Sequence, residues 1–328
     1  MKKLLISHID LDGSGSIVLE RAYRDKLGFD QAVMLDYDFE LNPENQAVVE
    51  SFDEIIIADL SIREEYFAHL ASLGKKVRIF DHHASASYLD EYRGCVHDET
   101  RCGTRIFFEE YVAERIGRAP QVVFDFVDRI DTYDRWQDES PLWEEALSLN
   151  RVLYGFTDYS KKGMEASEAF LRTQARKLME RDEWGWTPTE VQAIERSREA
   201  EDRRFQEAVD TISCRKDSRG LYFGVFAIPG KISIVCSRLL KDPRYAFLDY
   251  VIVTNSYGGV SGNLSLRSRN GFDCTALGPV NGHLAAAGGK IEPEQAKLLL
   301  KDETYSLAYK EDEGWNKDGN PLVQHVEF

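Results

Sequence analysis

The sequence predicts an α/β protein: an N-terminal parallel-sheet domain, a helical connection and a smaller C-terminal α/β domain. Three observations carry this expectation. Short apolar runs at Leu4-Leu5-Ile6, Ile55-Ile56-Ile57-Ala58 and Val77-Arg78-Ile79-Phe80 have the length and branching of buried strands, and each ends in acid or histidine. Between the second and third runs, residues 63–74 show helical spacing closed by Gly74, which makes the pair one βαβ unit of a parallel sheet. From about Trp143 to Asp210 the sequence is charged and helix-like. Strand-like segments then return at 221–226 and 250–253, followed by glycine-rich 257–262. The expected division is therefore 1–142, 143–210 and 211–328, with a polar tail from Glu311.

Length and composition narrow the function classes. A chain of 328 residues can bury a sizeable core and is expected to form about two domains. A formal charge of -16 disfavours a protein that coats long duplex nucleic acid, because such binding rests on many basic phosphate contacts. The excess acid lies before Thr211, where some of it can serve as metal ligands. No run approaches a membrane span, and the opening Met1-Lys2-Lys3 with its short strand lacks the apolar centre of a signal peptide, so no membrane partner and a cytoplasmic location are expected. Five scattered cysteines without a C-x-x-C pair argue against a disulfide framework and against a zinc ribbon.

The chemistry gathers where the strands end. In the stretch LLISHIDLDGSG an apolar strand runs directly into His8, Asp10 and Asp12, three potential ligands at alternate positions. Asp59 follows the second strand, Asp81-His82-His83 the third, and residues 127–133 offer a further carboxylate. In an open parallel sheet ligands bind beyond the carboxyl ends of the strands, so these residues would converge. Carboxylates combined with imidazoles are what a divalent-metal hydrolase requires. Each piece alone has a plainer reading: HIDLDG as an Asx-rich turn, Asp59 as a helix cap, Asp128, Asp131 and Asp134 as one charged helix face. Trp184, Trp186 and Phe107-Phe108 read as packing rather than a base-stacking platform.

Taken in order, SHIDLDG, IIIADL, RIFDHH and DRIDTYD resemble the four motifs of the DHH phosphoesterase family. GNLSLRSRNGFDCTALGPVNGHLAAAGG resembles the substrate-binding domain that accompanies them. The resemblance covers roughly 1–135 and 215–300. It implies a DHH catalytic domain and a DHH-associated domain with the active site in the cleft between them. It implies two metal ions, His8 and Asp10 on one, Asp12, His82 and Asp131 on the other, with Asp59 bridging. His83 would face the substrate phosphate and Asp81 would orient a histidine. Asp128 and Asp134 compete with Asp131 for the fourth motif, and Asp131 is preferred because Ile-Asp-Thr-Tyr best matches the family pattern. In the second domain Ser265 and Arg267 would hold a terminal phosphate or the nucleotide, Arg being suited to bidentate phosphate contacts. Gly282-His283 matches the end of the family's GGGH, whereas Val280-Asn281 stand where two glycines are usual.

The activity implied is metal-dependent phosphodiester hydrolysis: an exonuclease that takes short single-stranded RNA or linear dinucleotides to nucleoside monophosphates. The compact two-domain oligoribonucleases of the family are the best match. Mixed imidazole and carboxylate ligands favour Mn²⁺ at both positions, with Mg²⁺ as the alternative. A nucleoside 3′,5′-bisphosphate phosphatase fits the same centre, and a homodimer stays open. A haloacid-dehalogenase-type phosphatase would use Asp10 as nucleophile but leave His8 and Asp81-His82-His83 without work. A catalytically silent nucleotide-binding protein would have no need of the full ligand set.

Overall fold

In a computed structural model, which describes residues 1–255, 262–269, 271–311 and 321–324, the chain divides into two compact units, Met1–Glu195 and Arg196–Phe328. The glycine-rich residues 257–261 and most of the polar tail lie outside the described residues.

The first unit is built on five parallel strands: β1 (Lys3–Ser7), β2 (Gln31–Met34), β3 (Glu54–Ala58), β4 (Lys76–Asp81) and β5 (Val96–His97). They lie in the order β2-β1-β3-β4-β5. The three apolar runs of the sequence are β1, β3 and β4, and helix Glu64–Ser72 joins the last two as expected. The short strands β2 and β5 carry too little apolar sequence to stand out.

Side chains alternate across the sheet because the strand period is two. Leu5, Ile56 and Phe80 face one core, shared with helices Leu11–Ala22, Gln121–Asp134, Trp143–Phe156 and Glu168–Glu180. Leu4, Ile6, Ile55, Ile57 and Ile79 face the other, against Val49, Tyr66, Phe67 and Leu70. Each fully buried Leu, Ile or Phe contributes about 1.5–3 kcal/mol, so a sheet covered on both faces is held firmly. The strand order reverses direction between β1 and β3, and this reversal opens a crevice at their carboxyl ends.

Helices within 143–195 pack in the first unit, and helix Pro188–Thr211 carries the chain into the second. That helix starts with a reciprocal cap, the Glu190 N–H donating to Thr187 Oγ1 at 3.3 Å and the Thr187 N–H donating to Glu190 Oε2 at 2.6 Å. Glu190 also holds the buried Lys177 ammonium at 2.6 Å, over which Trp184 and Trp186 lie at 4.7 and 5.1 Å. These tryptophans are packing residues of the first core.

The second unit is a mixed sheet of β6 (Ser213–Lys216), β7 (Tyr222–Ile228), β8 (Tyr250–Asn255), β9 (Asn263–Ser268), β10 (Val280–His283) and β11 (Ala286–Lys290), in the order β10-β11-β9-β8-β7-β6. Among the described residues of this sheet only β7 and β8 pair in parallel, and helix Ile232–Lys241 makes their crossover. A separate ribbon pairs β12 (Tyr305–Leu307) with β13 (Leu322–Gln324). No helix of the described residues is long and apolar enough to cross a membrane.

Candidate metal centre

The HxDxDG stretch forms a tight turn from β1 into helix Leu11–Ala22. His8 leaves the strand buried, Asp10 becomes the helix N-cap by accepting from the Gly13 N–H at 3.0 Å, and Asp12 sits buried in the first turn. The cap engages Asp10 Oδ1, and Oδ2 lies 3.0 Å from His8 Nδ1. Glycine is required at 13 because the first turn packs on the His8 backbone: a Cβ there would come within 2.2 Å of the His8 carbonyl oxygen.

Asp12 is held by the start of helix Gly103–Phe107. Its Oδ2 accepts from the Gly103 N–H at 2.6 Å and its Oδ1 from the Thr104 N–H at 2.8 Å, while the Thr104 hydroxyl donates to the Asp12 carbonyl. Asp59, the first residue beyond β3, adopts φ +56, a left-handed conformation uncommon outside glycine. Its N–H donates to the Phe80 carbonyl at 2.9 Å, which turns the carboxylate into the crevice.

There Asp59 lies between two groups. Its Oδ2 is 3.9 Å from His8 Nδ1, on the side of Asp10. Its Oδ1 is 3.4 Å from His82 Nε2, which in turn stands 3.7 Å from Asp12 Oδ2 and 3.4 Å from Asp134 Oδ2. Among the described residues the potential ligand atoms fall into groups that meet here: His8, Asp10 and Asp59; Asp59, Asp81, His82 and His83; and Asp12, His82 and Asp134, with His82 beside the other Asp59 oxygen.

Among the described residues, the groups of potential ligand atoms contain Asp134 and not Asp131, the carboxylate expected for the fourth motif. The Asp131 carboxylate accepts from the Cys102 N–H at 2.8 Å and is paired with Arg105 at 3.2 Å and Arg135 at 3.7 Å. It anchors the start of helix Gly103–Phe107 through Cys102 and Arg105. Asp134 is the last residue of helix Gln121–Asp134, one turn further on, and reaches the crevice instead. Residues three apart share a helix face, so spacing alone could not separate the two. Asp128 is engaged by Arg105 at 2.5 Å.

The environment of these groups suits cations. Among the described residues, His8 Nε2, Asp59 Oδ2, His82 Nε2 and Asp134 Oδ2 are buried without a hydrogen-bond partner, which is costly for polar atoms unless something else binds them. Burial, then the charges of Asp12 and Asp10, push the carboxyls of Asp59 and Asp134 well above the usual carboxylate range. Asp10 goes the other way, to about 2: burial alone would raise it, but the hydrogen bond and charge of His8 outweigh that. Burial draws the His82 imidazole below its ordinary value, favouring the neutral form that can ligate a metal. Four crowded carboxylates and two imidazoles fit divalent cations chemically.

Asp81 plays a different part. Its Oδ1 accepts from the His82 N–H at 2.8 Å and lies 2.8 Å from His83 Nδ1, so it fixes the His83 ring with Nε2 turned outward. That Nε2 lies 3.4 Å from the hydroxyl of Tyr37, a residue the sequence reading passed over, as it did Asp36. Tyr37 follows β2 in an acidic loop and belongs to no recognisable pattern.

In the second unit Ser265 and Arg267 alternate along β9 with Leu264 and Leu266, which enter the core. Arg267 donates to Ser233 Oγ at 2.8 Å, at the start of helix Ile232–Lys241. Arg269 is committed to the backbone carbonyls of Leu248 and Leu240 at 3.0 and 2.7 Å. Gly282 adopts φ +138 in the β10–β11 hairpin, where a Cβ would meet the Ala286 carbonyl at 2.8 Å. The side chain of His283 lies outside the described residues.

A parallel sheet of order 2-1-3-4-5 with histidine and aspartate at its switch point, followed by a mixed-sheet second unit, is a fold this chain shares with a solved structure described as a DHH domain. The oligoribonuclease NrnB of Bacillus subtilis (strain 168) is 28% identical over 167 residues, 46% of this chain and 41% of the relative, so the match spans less than half of that protein. Among solved structures, one described as the DHH domain of a member of the s1p family of ribosomal proteins superposes with TM-score 0.63 at 15% identity, covering 92% of this chain and 85% of the other. Exonuclease RecJ bound to manganese superposes with TM-score 0.54 at 19% identity, covering 90% and 87%. At these identities the structural likenesses speak for the fold. No family model matches the chain.

Proposed function

We propose that the protein is a divalent-metal phosphodiesterase that hydrolyses short oligonucleotides, short RNA and linear dinucleotides first among them, to nucleoside monophosphates. The observation that carries this reading is the buried Asp59 carboxylate lying between His8 on one side and His82 on the other. His8, Asp10 and Asp59 would hold one ion, and Asp12, Asp59, His82 and Asp134 a second. When bound, a pair of such ions supplies Lewis acidity to a phosphoryl group and makes water a stronger acid. The oligoribonuclease relative and the manganese-bound exonuclease support the substrate class and the metal, Mn²⁺, with Mg²⁺ as the alternative.

The chain's own residues do the rest. Asp12 is oriented by two backbone N–H groups and Asp59 by its link to β4, so the ligands are set by rigid elements. Asp81 holds His83 with one ring nitrogen toward the substrate phosphate, where it stabilises charge on a non-bridging oxygen. Ser265, Arg267 and the Gly282-His283 end of β10 bind the terminal phosphate or nucleotide. In functional terms 1–142 is the catalytic domain, 143–210 the connector and 211–328 the substrate-binding domain.

Product analysis tests the reading: the full chain with Mn²⁺ is given end-labelled RNA and DNA ladders and a nucleoside 3′,5′-bisphosphate, with His82→Ala as control. Release of mononucleotides from short RNA by the wild type alone supports it. Cleavage of the bisphosphate alone would move the activity to a phosphomonoesterase, and no cleavage at all would overturn it.

A further inference from the structure

The loop after β2 places Tyr37 at the rim of the Asp59-centred group. Its ring lies against His8 with centroids 4.4 Å apart and meets His83 edge-on at 6.1 Å. Its hydroxyl is 3.4 Å from His83 Nε2, long for an O–H donor, and 54% of the residue is exposed. A tyrosine serving only as cover would bury its ring, whereas this one leaves half its surface exposed while its ring and hydroxyl stay beside His8 and His83.

Two elements thus converge on one point. His83 comes from the end of β4, fixed by Asp81, and Tyr37 from the end of β2. The rim is acid-lined, with Asp36 3.7 Å from His8 Nε2 and Asp10 and Asp59 behind it. A lysine or arginine here would pair with those acids and compete with bound cations. A phenol is an uncharged donor at neutral pH and does neither.

We infer that Tyr37 is a substrate-contacting residue whose hydroxyl, beside His83, donates to a non-bridging oxygen of the scissile phosphate. This rests on the phosphodiesterase reading and extends it to a residue outside the ligand set. A phosphodiester carries its charge on those oxygens and gathers more as the leaving group departs, so a donor at that point stabilises the transition state more than the ground state.

The test compares wild type with Tyr37→Phe, which keeps the ring on His8 and removes only the hydroxyl. Three quantities are measured on the full chain: kcat and KM for a linear ribodinucleotide with Mn²⁺, Mn²⁺ affinity by titration, and binding of AMP to the Mn²⁺-loaded protein. The expected result is a fall in kcat/KM of about 10- to 100-fold, the loss for one hydrogen bond to a charged group, with weaker AMP binding and unchanged Mn²⁺ affinity. Equal kcat/KM in the two proteins overturns the inference, as does a loss of Mn²⁺ affinity that accounts for the loss of rate. If the wild type itself leaves the dinucleotide intact, the phosphodiesterase reading fails and the inference falls with it, whereas an active wild type with equal AMP affinity and equal kcat/KM in the variant overturns the role of Tyr37 alone.

Discussion

Replacing Gly103 with alanine probes how closely helix Gly103–Phe107 is fitted against Asp59. A Cβ at this position would lie 2.5 Å from Asp59 Cβ, 2.6 Å from its Cα and 2.8 Å from its N. Those atoms are backbone or fixed to it, so no rotamer change relieves the contact. Restoring ordinary van der Waals separation requires the two segments to part by roughly an ångström, an overpacking that costs about 1–3 kcal/mol. The Gly103 N–H also donates to Asp12 Oδ2 at 2.6 Å, so the same displacement moves both Asp12 and Asp59. Misplacing a positioned group by about 1 Å costs on the order of 100-fold in rate. Gly103→Ala should therefore lower Mn²⁺ affinity and turnover of a short oligonucleotide by about two orders of magnitude while the urea midpoint reports a loss of only about 1–3 kcal/mol. Wild-type Mn²⁺ affinity and kcat/KM in the variant would refute the idea that this close approach positions the centre.

Asp134→Asn and Asp131→Asn should separate cleanly. The first weakens Mn²⁺ binding yet raises the stability of the metal-free protein, since it removes a crowded charge; the second costs about 1.5–3 kcal/mol through the lost charged contacts to Cys102 and Arg105, and thermal melts with and without Mn²⁺ distinguish them. In the metal-free protein Asp59 and Asp134 have folded-state pKa values above the unfolded ones. Their contribution is therefore fully present in acid below the ordinary carboxylate pKa and is lost as pH rises through the raised values, and urea unfolding across that range checks the sign. Lys177→Met should cost about 3–5 kcal/mol by leaving Glu190 buried without its partner, read from urea unfolding. Arg267→Ala should raise KM for a short oligonucleotide with little change in kcat, read from steady-state kinetics; an unchanged KM would remove it from the substrate path.

The parts of the fold and site that could be read from sequence are those where one local pattern decides the outcome. β1, β3 and β4 announce themselves because a strand buried on both faces must be continuously apolar, and their acidic ends fall at the switch point because parallel strands share a direction. β2 and β5 depend on pairing rather than composition and stayed hidden. Residues His8, Asp10, Asp59 and His82 each sit within three residues of a strand end, so the sheet delivers them, and Asp12 follows in the first turn of the helix that β1 runs into. Asp134 comes from a helix packed on the sheet, and its difference from Asp131 is one of which carboxylate the Cys102 N–H and Arg105 claim. Tyr37 lies in a loop whose path is set by tertiary contacts with His8 and His83, which no spacing records.

The most direct test of a centre shared through Asp59 is a stoichiometric Mn²⁺ titration of wild type and Asp59→Asn, followed by low-temperature electron paramagnetic resonance. Two ions per wild-type chain with a spin-coupled signal, and loss of that coupling together with activity in a folded Asp59→Asn, is the expected outcome. A single ion per chain, or an Asp59→Asn variant that binds two coupled ions and turns over normally, would contradict it.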